Sequence, residues 1–274
     1  IIADWYDPGV GGHRMGDVTR GRLFRITVDG HEKYEIQKSD LATTKAAGEA
    51  LMSPNQSTRF LAGQALQRSW KDDPAPQIAR YLDPAIVTAP RMRARWLWQL
   101  ARIPGQVGQR TIERGLRDPD SNVRIAAVRA ARQNPQVKNL DVVKTLVDDP
   151  SPQVRRELAL ALRGESSSVA ANLWTNLALA HDGKDRWYLE ALGIGAEGQW
   201  DQFFAAWEKQ VGEQWNQPRH HDIIWRARTP KACVYLGQMI REARTAQEQE
   251  RYFRALDFHD SEQKRLALAA IVGK

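Results

Sequence analysis

From about Asp40 to the end of the chain, apolar residues recur at i, i+3, i+4 and i+7, and helix breakers arrive every ten to twenty residues. That spacing predicts a succession of short amphipathic helices and no convincing strand. The first 30 residues have a different pattern. Asp7-Pro8-Gly9-Val10-Gly11-Gly12-His13 holds three glycines and a proline and predicts a loop. The stretch Gly21 to Gly30 alternates, with Phe24, Ile26 and Val28 on one face and Leu23, Arg25 and Thr27 on the other. It predicts a half-buried strand. A lone strand cannot satisfy its own edges, so this segment is expected to be the end of a β domain whose other strands lie outside the chain. His31 to Ser39 is polar and predicts a linker. The expected organisation is thus a terminal β segment over residues 1–30, a linker over 31–40 and a helical domain over 41–274.

The helical part repeats itself. Asp118-Pro119-Asp120-Ser121-Asn122-Val123-Arg124 and Asp149-Pro150-Ser151-Pro152-Gln153-Val154-Arg155 align at an offset of 31, and Ala130 then meets Ala161. The frame continues to Arg186, which meets Arg155, and to Leu189, which meets Leu158. It reaches back to Ser53-Pro54 with Arg59, more weakly to Asp83-Pro84 with Arg93, and forward to His259–Ala269. A period in this range, built from helices, means stacked units that complete one another's cores. The D-P-x-x-x-V-R-x-x-A pattern resembles HEAT repeats and implies an all-α solenoid. Asp or Ser is expected to cap the second helix of each pair, with Pro at its first position. Asp118, Asp149 and Asp182 are expected to form an inter-repeat ladder with Arg124, Arg155 and Arg186, with Arg93 or Arg95 a candidate for a further rung. The spacing drifts after Arg186, so irregular repeats are expected toward the C-terminus.

At 274 residues and 42% hydrophobic the chain can bury a large core. No run approaches the roughly 18 apolar residues of a membrane span. One cysteine, Cys233, excludes an internal disulfide, a multi-cysteine metal site and a CxxCH haem attachment. It lies in an apolar helical run and is expected in the core. The start at Ile1 shows no signal peptide, which by itself is no argument for the cytosol.

The net charge of +7 is concentrated. Residues 86–133 hold ten arginines, no lysine and three acids, Glu113, Asp118 and Asp120. Arginine suits bidentate contact with carboxylate, phosphate or sulfate. Within this stretch Arg91, Arg93, Arg95, Trp96, Trp98, Arg102, Arg110, Arg114 and Arg117 form the candidate binding surface. A solvated scaffold face is the competing reading. Trp96 and Trp98 point to different sides of one helix, so one of them is expected among the guanidiniums. The other tryptophans, ten in the whole chain, are expected mainly in the core between repeats. His220 and His221 lie about 100° apart on a helix and do not suit one metal ion; a solvated loop or helix start after Pro218 is expected. His181 and His259 each precede an Asp and read as capping. There is no GxSxG or P-loop.

Several strings go beyond a generic repeat. Asp4-Trp5-Tyr6-Asp7-Pro8-Gly9 to His13, His181-Asp182-Gly183-Lys184-Asp185-Arg186-Trp187, Ile223-Ile224-Trp225-Arg226 and Arg251-Tyr252-Phe253-Arg254 resemble large extracytoplasmic proteins of planctomycetes and verrucomicrobia, the PVC-type membrane-bound dehydrogenase and haem-binding domain proteins. The resemblance implies a HEAT-like region joining the end of a β-propeller to a c-type cytochrome domain, on the far side of the inner membrane. Haem and any propeller cofactor would then lie outside this chain, and no catalytic residue is carried over. Asp4, Asp7 and His13 become a candidate metal or substrate site of a propeller loop, or the residues that close its blade. The leading expectation is a non-enzymatic scaffold docking its flanking domains, another protein or a polyanion. A HEAT-like DNA glycosylase is the main alternative; the β segment and the absence of lysine from the basic stretch disfavour nucleic acid. An acidic-polysaccharide module uses the same arginines.

Overall fold

The computed structural model describes residues 2–4, 21–31, 40–70, 78–135, 137 and 140–273. The chain forms two units, Ile1–Asp40 and Leu41–Lys274.

In the first unit β1 (Ile2–Asp4) pairs antiparallel with β2 (Arg22–Phe24), with Ile2 opposite Phe24 and Asp4 opposite Arg22. The expectation of a long half-buried strand is corrected here. The strand covers three residues, β1 supplies a partner from within the chain, and Leu23, Phe24, Ile26 and Val28 are all exposed. A two-stranded ribbon has no second layer to bury a face against.

The second unit is all helical among its described residues. Its helices are α1 (Thr44–Ala50), α2 (Gln56–Ser69), α3 (Pro90–Leu100), α4 (Gln106–Gly115), α5 (Ser121–Gln133), α6 (Leu140–Val143) and α7 (Pro152–Ala161). They continue with α8 (Ser168–Leu179), α9 (Arg186–Gly195), α10 (Trp200–Val211), α11 (Pro218–Arg226), α12 (Ala232–Glu242), α13 (Ala246–Leu256) and α14 (Glu262–Val272). Helices pack on the next but one along the chain: α3 on α5, α5 on α7 and α7 on α9, and likewise α8 on α10 and α12 on α14. This is the layered stacking of an α-solenoid.

Local chemistry sets the helix starts. The side chains of Asn55, Asp120, Ser167, Asp185, Thr245 and Ser261 each accept a first-turn backbone N–H. Pro90, Pro152 and Pro218 sit at first helical positions. The prolines of the repeated Asp-Pro pair do not. Pro119 and Pro150 precede the cap positions Asp120 and Ser151, and the recurrent aspartate before each proline has another task.

The apolar stripe of each helix turns inward as the periodicity requires. Val123, Ala127 and Val128 of α5 and Val154 and Leu158 of α7 are fully buried. Farther on the core becomes aromatic: Trp174 lies 5.7 Å from Trp200 and 5.8 Å from Phe203, and Phe204 lies 5.1 Å from Trp207. Helix α9 comes close to α7 at Gly195, where a Cβ would stand 2.2 Å from the Ala159 carbonyl oxygen. Cys233 is fully buried.

Candidate interaction surface

The arginine at the fourth position of each of four helices has one shared function. Arg59, Arg93, Arg124 and Arg155 all turn back to carbonyls of the loop that leads into their own helix. Arg59 donates to Ser53 and Pro54, Arg93 to Val87 and Thr88, Arg124 to Asp118 and Pro119, and Arg155 to Asp149, over 2.6–3.1 Å. Two of them also bridge to the next repeat. Arg93 grips Asp118 with Nε and Nη2, both at 2.8 Å, and Arg124 grips Asp149 at 2.7 and 2.8 Å. Each aspartate also accepts the backbone N–H two residues on, from Asp120 or Ser151. These hydrogen bonds to carboxylate raise the pKa of both guanidiniums against the opposing effect of burial. The rungs are fork-on-fork pairs held away from water, which fixes the register of one repeat on the next.

The ladder ends at Arg155. Helix α9 begins at Arg186, so its fourth residue is Leu189. Arg186 was expected as a rung; its side chain is 80% exposed and lies 3.8 Å from Glu190. Asp182 is exposed too and serves its own turn, accepting from the backbone of Lys184 and Asp185. The physical reason is spacing: α7 starts 31 residues after α5 but α9 starts 34 after α7, so Arg186 falls at the first helical position. Arg155 instead lies over the Tyr188 ring at 5.8 Å.

The candidate binding surface separates into three groups. Arg93 and Trp96 leave it, since Arg93 is 2% exposed in the ladder and Trp96 is 4% exposed, stacked on Tyr81 at 4.1 Å. Arg110, Arg114 and Arg117 belong to α4 and the turn after it, beside Leu82 and Pro84, and Arg114 pairs with Asp83 at 3.3 Å. Arg91, Arg95, Trp98 and Arg102 remain together on the outer side of α3 and its end. Arg95 is half-buried and donates to the Leu51 carbonyl at 2.6 Å. Burial, then the charges of Arg59 and Arg91, hold its pKa below the ordinary arginine value. Among the described residues Arg59, Arg91, Arg95 and Arg102 have no carboxylate partner.

Arg59 and the exposed Phe60 were not foreseen as part of this surface. They lie on α2, far from the Arg-rich stretch in sequence, and α2 packing on α3 brings them beside Arg95 and Trp98. The signal was present in the repeat frame, since Arg59 occupies the ladder position.

The histidines are corrected. His220 begins a helix but is 3% exposed against Trp207, not solvated. His181 and His259 are buried and cap nothing: His181 Nε2 meets Asp222 Oδ2 at 2.9 Å, while Asp185 and Ser261 cap the neighbouring helices. Most of the described tryptophans are buried or half-buried, but Trp187 is 70% exposed. Asp4 lies in β1, while Asp7 and His13 fall outside the described residues. Among the described residues no cluster of three ligating side chains could hold a metal ion, and no helix is long and apolar enough to cross a membrane.

A periodic stack of helices with an arginine–aspartate ladder defines a helical repeat protein. The particular repeat follows from the family comparison: residues 85–163 match the HEAT-repeat family, so the chain contains a HEAT-repeat region. No curated protein and no solved structure matches the chain.

Proposed function

We propose that this chain is a non-enzymatic interaction scaffold, with HEAT repeats that hold partners at fixed spacing and an arginine-bearing face that docks one of them. HEAT repeats commonly mediate protein interactions, which supports the general reading. The observation that carries it is the set Arg91, Arg95 and Arg102, aligned along α3 of the HEAT region with no carboxylate partner among the described residues. The finer reading follows the family resemblance of the sequence. The partners would be a dehydrogenase-like β-propeller and a c-type cytochrome domain of the same extracytoplasmic protein, and haem and propeller cofactor would reside there.

The scaffold reading is tested on the isolated chain. The isolated chain should not oxidise sugars or alcohols with an artificial electron acceptor, and it should bind an added cytochrome or propeller domain in a salt-sensitive manner. Turnover by the isolated chain would remove the non-enzymatic reading. Binding of duplex DNA with a steep salt slope, and of neither domain, would move the arginines to nucleic acid.

A further inference from the structure

Trp98 stands between two recesses. On one side Arg59, Phe60, Ala94 and Arg95 enclose about 400 Å³ between α2 and α3. On the other, Arg102, Ile103, Pro104, Ala130 and Pro135 enclose about 310 Å³ at the ends of α3 and α5. Each recess has apolar walls, at least one guanidinium and no carboxylate in its lining. Phe60 is 64% exposed at the rim of the first. Arg91, one turn before Arg95, is exposed and adds a further cation.

From this juxtaposition we infer that the Trp98 divide is a docking site for an acidic peptide segment, two of whose apolar side chains enter the recesses while its carboxylates pair with Arg59, Arg91, Arg95 and Arg102. The inference rests on the scaffold reading and names the docking site and the partner's chemistry. Charge complementarity selects an acidic partner, because four cations without acids attract one. The recess walls select a polypeptide over a nucleic acid. Ile103, Pro104 and Pro135 reward aliphatic side chains, which a nucleic acid does not carry. Arg59 and Arg95 are anchored to the carbonyls of Ser53, Pro54 and Leu51, so they offer donors in fixed directions.

The probe is a fluorescein-labelled glutamate-rich peptide with two leucines two to four residues apart, read by fluorescence anisotropy with the whole chain. Three comparisons accompany it: the same peptide with serine for both leucines, a single-stranded oligodeoxynucleotide of equal charge, and three variants. These are Trp98→Ala, the exposed pair Arg91→Glu with Arg102→Glu, and a control on α4, Arg110→Glu with Arg117→Glu. The expected result is binding of the leucine peptide that weakens at least about tenfold with serine, with W98A and with R91E/R102E, and stays unchanged in the α4 control. The charge-reversal pair lies outside the core, so it tests the site even if W98A unfolds. Loss confined to the α4 control would overturn this site while leaving an arginine docking scaffold in place. Oligonucleotide binding with the same Trp98 dependence would overturn the peptide in favour of nucleic acid. No binding of any anionic probe at low salt would overturn the site and the arginine-docking reading together.

Discussion

The two halves of the helical unit solve the same stacking problem differently. From α2 to α7 four helix entrances, those of α2, α3, α5 and α7, are tied by an arginine in one position, and two of these arginines cross to the next repeat. From α8 onward that arginine contact does not recur among the described residues. Aromatic side chains fill the core, and the polar groups are paired one by one. His181 meets Asp222, which also meets Arg251 at 2.6 Å. Arg226 meets Glu190 at 3.0 Å and Thr229 meets Asp201 at 2.6 Å. Arg228 sits over Phe258 at 4.3 Å and donates to the last carbonyls of α11, and burial pushes its pKa down to about 10. A repeated contact makes neighbouring units interchangeable and leaves a periodic trace in sequence. A collection of singular contacts can be as well packed and leave none. The HEAT match, residues 85–163, covers α3 to α7 and both bridging rungs.

The strongest way to break the contrast is to remove an aromatic anchor. Trp207 is fully buried against Phe204 and His220. Trp207→Ala should cost about 3–5 kcal/mol, the usual range for emptying such a volume. Because solenoid units contact only their neighbours, the loss should be local. Hydrogen exchange should speed up in α10–α12 first, while α3, α5 and α7 keep their protection. Uniform loss of protection along the whole unit would show that the halves fold as one.

A second pair of variants tests the ladder against its broken end. Arg124→Met leaves Asp149 with its side chain 4% exposed and its charge partner gone. Stranding a buried carboxylate should cost about 3 kcal/mol. Arg155 has the same position in its helix, yet it bridges to no aspartate, and its Nε is buried without a partner. Arg155→Met should therefore cost only about 1–2 kcal/mol, the worth of one charge-assisted bond to a carbonyl. Equal midpoints for the two variants in urea unfolding would mean that the bridging rungs add nothing beyond the helix entrance.

What was legible in the sequence divides along the same line. The 31-residue frame exposed the helices and the Asp–Arg pairing, because identical contacts demand identical residues. It misplaced Arg186 because a fixed 31-residue offset cannot register that α9 starts 34 residues after α7. The arginine cluster was visible as composition but not as a surface. Arg93 and Trp96 have the same local context as Arg95 and Trp98, and a step of two residues, about 200° around the helix, decides between core and solvent. Phe60 and Arg59 reach the surface through packing of α2 on α3, which local sequence does not encode. The β segment failed as a half-buried strand because its alternation has no second layer within the described ribbon.

Acid separates the halves more gently. Burial, then the neighbouring charges of Arg219 and His221, depress the pKa of His220; burial, then Arg228 and Lys264, depress that of His259. A histidine depressed in the folded state takes its proton first when unfolded. Its contribution is whole above the unfolded value near 6.5 and is lost as pH falls through that value toward the folded one. Asp222 moves the other way in charge but not in stability. Burial alone would raise it, yet His181 and Arg251 hold it below the ordinary carboxylate range, so its contribution fades only at still lower pH. The thermal midpoint should fall as pH drops from 7.5 to 5, and His220→Gln with His259→Gln should flatten that slope. A slope unchanged in the double variant would place the acid sensitivity elsewhere.

The smallest test concerns two helix entrances that look alike in sequence. Asp120 and Ser151 occupy matching cap positions before α5 and α7. The Asp120 carboxylate accepts the Asn122 N–H at 2.8 Å. The Ser151 hydroxyl turns to the Gln153 side chain at 2.9 Å and makes no cap bond, although Pro152 at the next position presets the first turn. Asp120→Ala should thus cost about 1 kcal/mol, since it orphans a first-turn N–H. Ser151→Ala should change the midpoint by only about a few tenths of a kcal/mol, because proline and the Arg155 bond to the Asp149 carbonyl already define that entrance. A Ser151→Ala cost as large as that of Asp120→Ala would mean that the hydroxyl caps α7 in solution. Proline and arginine together would then be too weak to hold a repeat's entrance where the ladder has lost its aspartate.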